Sequence, residues 1–293
     1  MTYRKKNILD KPSITKKCAW SLILAAKCFR INNFDNECQV TIEKSLNKKT
    51  YKYKYDLEKK EVISSNFDID SYTDNLFKLY LPIIFNSKKT YLIGHLAQTL
   101  DGFIATKSNE SKYISSKENL IHIHMLRAIS DIILVGSNTV KSDNPMLTTR
   151  LVKGENPMRI VLDKSDKISK KYNVFSNKDG NGYKIINDQL KQKDLNIFQL
   201  PLIDNQFDER DIISLLTKLN KKIVFIEGGG KTISRFYKKN LLDKLHLCIS
   251  PIILGEGVSS FIIPKQKSLK EVGEHKISYI KMGSDILCDI DLF

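Results

Sequence analysis

From Tyr91 onward, apolar residues gather in short continuous runs separated by stretches in which they recur every third or fourth position. The runs YLIGHLAQT (91–99), DIILVG (131–136), MRIVLD (158–163), KIVFIE (222–227) and KLHLCISPIIL (244–254) predict strands. The periodic stretches KENLIHIHMLRAIS (117–130), DERDIISLLTKLN (208–220) and GKTISRFYKKN (230–240) predict helices. Strands alternating with helices predict an α/β sheet, mainly parallel, with helices on both faces. Ile132 to Val135 are apolar at successive positions, as in strands covered on both sides. HKISYIKMGSDILCDIDLF (275–293) predicts an antiparallel hairpin closing one sheet edge. Residues 1–88 have a different texture and form a small α+β region: CAWSLILAAKCFRI (18–31) as a helix, TYKYKYDLEKKEVIS (50–64) as a strand pair, and SYTDNLFKLYLPIIFNS (71–87) as a second helix. This divides the chain into residues 1–88, which show no recognisable chemistry, and residues 89–293.

Composition narrows the function classes. No run of 18 apolar residues occurs, and the first residues lack the apolar core of a secretion signal, so neither a membrane span nor export is expected and the chain reads as cytoplasmic. The net charge of +15 would suit nucleic acid, but only seven of the 48 basic residues are Arg and the Lys are spread along the whole chain. No nucleic-acid partner is therefore expected, although an anionic small molecule would be favoured by the same field. The five cysteines are odd in number and at least ten residues apart, which fits neither a disulfide framework nor a metal site.

Ligands of open α/β sheets bind beyond the carboxyl ends of strands, and two such ends stand out. After Glu227 come Gly228, Gly229 and Gly230, then a helix whose positive end would point at the same spot; bare peptide N–H groups there suit a phosphate, although three glycines alone read equally as a turn. The second is DIILVGSNTVKSDNPMLTTR (131–150), where Pro145 holds Asn144 away from helical conformation and Arg150 offers a fork for phosphate or carboxylate.

LAQTLDGFIAT (96–106), HMLRAISDIILVGSNTVKSDNPMLTTR (124–150), NPMRIVLD (156–163) and FIEGGGKTISRFYKKNLLDKLHLCISPIILGEG (225–257) together resemble, in order and spacing, the reductase domain of the bacterial riboflavin-biosynthesis deaminase-reductase, across residues 90–293. The resemblance implies a dihydrofolate reductase-like fold. It implies NADPH-dependent reduction of the ribosyl group of 5-amino-6-(5-phosphoribosylamino)uracil to ribityl, and a homodimer. Its cofactor contacts fall on Ala97, Tyr113, Thr139, Asp143, Gly229, Gly230, Lys231, Thr232, Ile233, Ser234 and Arg235. Its substrate contacts fall on Ser111, Arg127, Leu147, Arg150 and Glu227, with Arg127 and Arg150 as holders of the ribose phosphate. Asp143 and Glu227 become the candidate catalytic residues, and no metal is implied. Taken singly, Arg127 reads equally as the polar tip of a helix and Asp143 as a helix cap.

Three positions depart from the pattern. His95 stands where many relatives have Lys, Tyr113 where several have Trp, and Lys164 follows the strand RIVLD where a cation would meet a 2′-phosphate, a hint of NADPH over NADH. The family's zinc deaminase has no counterpart in the first 94 residues, which contain no His and whose cysteines are too widely spaced. Deamination is not expected of them.

Overall fold

The computed structural model describes residues 11–32, 39–111, 114–176, 179–192, 194–263, 268 and 273–292. They fall into two compact units, Met1–Ser87 and Lys88–Phe293. The first contains α1 (Lys16–Asn32), β1 (Gln39–Leu46), β2 (Lys49–Asp56), β3 (Glu61–Ser65) and α2 (Ser71–Ile84). Its strands pair antiparallel in sequence order. Val40, Ile42, Tyr53 and Tyr55 alternate with exposed residues and bury one face of this sheet. Tyr53 stacks on Phe77 of α2 at 4.9 Å between ring centroids. β1 was not legible: QVTIEKSL carries only two buried positions, Val40 and Ile42.

The second unit contains β4 (Tyr91–Thr99), β5 (Phe103–Ala105), α3 (Lys117–Ile129), β6 (Ile132–Gly136), α4 (Ser137–Asp143), β7 (Met158–Leu162), β8 (Gly182–Asn187), β9 (Ile197–Leu200), β10 (Leu202–Ile203), β11 (Gln206–Phe207), α5 (Glu209–Lys218), β12 (Ile223–Glu227), α6 (Gly230–Lys238), β13 (Lys244–Ser250), β14 (Val258–Ser259), β15 (Lys276–Met282) and β16 (Asp285–Asp291). Nine strands form its main sheet in the order β15-β16-β13-β4-β12-β6-β7-β8-β9. Those from β13 to β9 run parallel, and the β15–β16 hairpin closes the other end antiparallel. This is the mainly parallel α/β sheet with a terminal hairpin that the apolar rhythm foretold.

Two differences have physical causes. The strand expected over 244–254 stops at Ser250, because Pro251 has no N–H for a ladder. The Asn- and Lys-rich middle hides two parallel strands, β8 and β9. They escape notice because charge is buried there: Lys184 of β8 reaches Asp166 at 2.7 Å, and Arg159 of β7, fully buried, donates to Asp179 at 2.9 Å and to the Val174 carbonyl at 3.1 Å.

Alternation along the strands then sorts the two faces. Leu92 and Leu96 of β4, Ile132 and Leu134 of β6, and Val224 and Ile226 of β12 pack in one core with Ile212 and Leu216 of α5 and Ile233 and Phe236 of α6. Glu227 lies on the opposite face of β12, in register with His95 of β4, under α3.

Candidate active site

The bend after β12 is forced at each of its glycines. Gly228 and Gly229 have φ of 86° and 64°, a region a side chain resists, and Gly229 caps α6 without any side-chain hydrogen bond. A Cβ on Gly228 would stand 3.2 Å from Thr139 Cγ2, and one on Gly229 3.3 Å from Thr139 Oγ1. At Gly230 it would overlap the Ser260 carbonyl oxygen and come within 2.8 Å of the carbonyl carbon. The close approach that this third glycine permits is thus made by the protein's own chain. The 258–262 segment is fastened there: Ser234 Oγ accepts from the Ile262 N–H at 2.8 Å, and the Ser260 N–H donates to the Gly102 carbonyl at 3.0 Å.

The other strand end meets this bend. Gly136 starts α4, again with no side-chain cap, and a Cβ on it would reach 2.9 Å from Thr232 Oγ1. By contrast α2, α3 and α5 are capped by Asp70, Ser116 and Asp208. The Thr139 and Thr232 hydroxyls therefore flank a side-chain-free bend at the start of α6, a donor set suited to the oxygens of a diphosphate. Asp143 is exposed in the last turn of α4.

On the opposite face Glu227 meets α3. Arg127 grips its carboxylate with two parallel bonds, Nε to Oε2 at 2.8 Å and Nη2 to Oε1, while Nη1 donates to the Thr148 carbonyl at 2.9 Å. The Arg127 and Glu227 side chains are 6% and 16% exposed, so this is a nearly buried pair. Arg150, exposed, lies close enough to feel both: burial and then the Arg127 cation lower its pKa, and Glu227 opposes them. Arg127, expected beside Arg150 as a phosphate holder, directs three of its five N–H donors to Glu227 and the Thr148 carbonyl. The reason is that an acid near the end of an apolar strand needs a partner of opposite charge.

The remaining expected positions divide. Ala97 lies on β4 two residues beyond His95, and Ser111 is half-buried in the loop before α3. Leu147 is buried with φ of 55°, an unusual backbone for a branched residue. Lys231 is exposed and Thr232 half-buried beside it, but Ile233 and Ser234 are buried with their side chains turned inward. Arg235 points away from the bend to the Gln206 side chain, the Phe207 carbonyl and Glu209. Lys164 donates to the Asn205 carbonyl at 2.6 Å. Tyr113 lies outside the described residues. Groups that the sequence did not single out include His124, against Arg127, and a buried chain in which His122 donates to His246 and His246 to Asp289 at 2.9 and 3.0 Å. His95 donates to Asn119 Oδ1 at 2.9 Å, and burial lowers its pKa to about 4. Four of the five histidines thus line the α3 side of the sheet, a pattern visible in IHIH only once the faces are known. Among the described residues no cluster of His, Cys, Asp and Glu could hold a metal ion.

Residues 90–285 match the RibD C-terminal domain family. The riboflavin biosynthesis protein RibD of Aquifex aeolicus is 31% identical over 211 residues, covering 66% of this chain and 58% of that one. The 2,5-diamino-6-ribosylamino-4(3H)-pyrimidinone 5′-phosphate reductase of Archaeoglobus fulgidus is 28% identical, covering 67% of this chain and 95% of that one. Among solved structures, the deaminase/5-amino-6-(5-phosphoribosylamino)uracil reductase of Thermotoga maritima superposes with a TM-score of 0.59 at 26% identity, over 75% of this chain and 61% of that one. The chain spans little more than half the length of the RibD relatives from Aquifex aeolicus and Bacillus amyloliquefaciens, 58% and 56%.

Proposed function

The chain belongs to the RibD C-terminal domain family, and from that premise we propose that it is an NADPH-dependent reductase that turns the ribosyl group of 5-amino-6-(5-phosphoribosylamino)uracil into ribityl. One observation carries the proposal: at the end of β12 the chain splits two kinds of chemistry. Glu227 turns to the α3 face, towards Arg127 and Arg150, and the very next residues form the bare bend between Thr139 and Thr232. A dinucleotide diphosphate fits the bend, because the N–H groups starting α6 are uncapped by side chains and a Cβ at Gly228 or Gly229 would crowd Thr139. Peptide N–H groups of Gly229, Gly230 and Lys231 with the Thr139 and Thr232 hydroxyls would hold it, the N–H groups of Thr232 and Ile233 being already bonded to the Gly229 carbonyl, and Lys164 would supply a cation for a 2′-phosphate. Its hydrogen-bond partner is the Asn205 carbonyl rather than a carboxylate. When bound, the cofactor supplies a hydride for the sugar's C1′.

The chain's own part is orientation. Arg127 holds the Glu227 carboxylate in place with two hydrogen bonds, so that it accepts hydrogen bonds from the aminouracil. Arg150, on an anchored loop and exposed, takes the ribose phosphate, with Ser111 and Leu147 beside it. Asp143 and Ala97 line the nicotinamide side. In this reading residues 89–293 carry the reaction, the protein is a cytoplasmic homodimer, and it has no nucleic-acid or membrane partner. No helix among the described residues is long and apolar enough to cross a membrane.

A second reading is favoured by the match to nearly the whole length of the archaeal reductase: the pyrimidine is reduced before deamination, as the 2,5-diamino-6-ribosylamino-4(3H)-pyrimidinone 5′-phosphate. Loss of NADPH absorbance with each pyrimidine in turn separates the two. Turnover of the deaminated compound supports the first, exclusive turnover of the diamino compound the second, and turnover of neither refutes both.

A further inference from the structure

The loop that carries Arg150 adopts a backbone it would not hold alone. Asn144 and Leu147 have φ of 42° and 55°, and Gly154, at 148°, lies so close to α3 that a Cβ would meet Ala128 Cβ at 2.5 Å. Within the loop the Thr149 N–H donates to Asn156 Oδ1 at 2.9 Å, and two side chains of α3 tie it to the helix. His124 Nδ1 accepts the Arg150 N–H at 3.0 Å and the Leu151 N–H at 3.3 Å. One turn further along the helix, Arg127 Nη1 takes the Thr148 carbonyl. The loop is therefore bracketed between an acceptor for two of its N–H groups and a donor for one of its carbonyls.

An Nδ1 that accepts two N–H groups has no proton, so Nε2 carries it, and its 3.4 Å approach to Arg127 Nη1 is a contact between two donors rather than a hydrogen bond. The imidazole stays in this state at working pH: burial, then the Arg127 and Arg150 cations, lower its pKa to about 3. His124 is fully buried, and its ring is out of reach of solvent.

We propose that His124 is a positioning residue for substrate: by accepting the Arg150 and Leu151 N–H groups it holds the Arg150 guanidinium where the sugar phosphate must bind. This rests on the reading of Arg150 as the phosphate holder. The geometry supplies a discriminating pair of variants. In His124→Asn the amide oxygen falls where Nδ1 was and keeps the acceptor; in His124→Gln the longer side chain places its amide where Nε2 was and leaves the two N–H groups without one.

Two measurements test the proposal. Amide hydrogen exchange of Arg150 and Leu151, read without substrate, is expected to accelerate in His124→Gln and to remain near wild type in His124→Asn. Steady-state kinetics are expected to show the KM for the phosphorylated pyrimidine raised roughly tenfold or more in His124→Gln, with the KM for NADPH unchanged and His124→Asn restoring the wild-type value. Exchange that is equal in all three proteins overturns the anchoring. Accelerated exchange with equal effects on both KM values overturns the link to substrate. If the wild type reduces neither pyrimidine, the proposed function fails, and the exchange data still decide whether His124 holds the loop. A His124→Gln protein that melts like wild type yet shows the selective KM rise separates positioning from a loss of fold.

Discussion

Arg127 offers a sharp test because two roles predict different things for it. As a phosphate holder, its removal would weaken substrate binding and leave stability nearly untouched. As the partner of Glu227 it is part of the fold. The Arg127 and Glu227 side chains are 6% and 16% exposed and share two hydrogen bonds. Removing one partner of a buried pair costs about 3–5 kcal/mol, because the other charge is left uncompensated; the partial exposure of Glu227 argues for the lower end. The Thr148 carbonyl loses its donor as well, adding about 1 kcal/mol. For a unit of this size each kcal/mol lowers Tm by about 2–4 °C, so Arg127→Ala should melt roughly 8–16 °C below wild type. The assay is a double-mutant cycle by calorimetry with Arg127→Ala, Glu227→Ala and both together. A coupling of about 2 kcal/mol or more is expected, with the double variant recovering part of the loss. An Arg127→Ala protein that melts with wild type, or effects that simply add, would refute the brace and return Arg127 to the substrate.

Arg150→Ala should raise the KM for the phosphorylated pyrimidine more than that for NADPH in steady-state assays; equal changes would place Arg150 on the wrong half of the crevice. Gly230→Ala, which forces apart α6 and the Ser260 carbonyl, should cost about 1–3 kcal/mol in denaturant titrations and weaken NADPH binding measured by calorimetry; a variant as stable and as tight as wild type would show that the 258–262 segment does not hold the bend. The buried histidines predict acid sensitivity. His95 and His124 are lowered to about 4 and about 3 by burial first, below the roughly 6.5 of an unfolded His. The unfolded chain therefore binds more protons, and stability, complete above about pH 6.5, falls towards pH 4 by up to about 1.4 kcal/mol per pH unit for each such His. A Tm that is flat between about pH 7 and pH 5 would contradict those burial costs.

Elements with an unbroken apolar signature were legible from the chain: β4, α3, β6, β12 and α6 lie where periodicity put them, since each buries side chains on at least one continuous stripe. Glycines 228–230 marked a bend correctly, yet the reason for the third, the Ser260 carbonyl, is thirty residues away and is visible only in space. The same distance hid the pairing of Arg127 with Glu227, a hundred residues apart. β8 and β9 were missed because Lys184 is buried by charge pairing with Asp166, a term that a hydrophobic pattern does not contain. His124 carried no signal at all: in sequence it is one polar residue on an amphipathic helix, and its role comes from two backbone N–H groups that only the folded loop brings to it.

In the proposed function the bend between Thr139 and Thr232 binds NADPH while Arg150 binds a phosphosugar beyond Glu227. Crystals grown with NADPH and the deaminated pyrimidine test it most directly. Diphosphate density on the peptide N–H groups starting α6, with the ribose phosphate on Arg150, is the expected result; a cofactor bound elsewhere, or a sugar phosphate remote from Arg150, would disprove these two assignments.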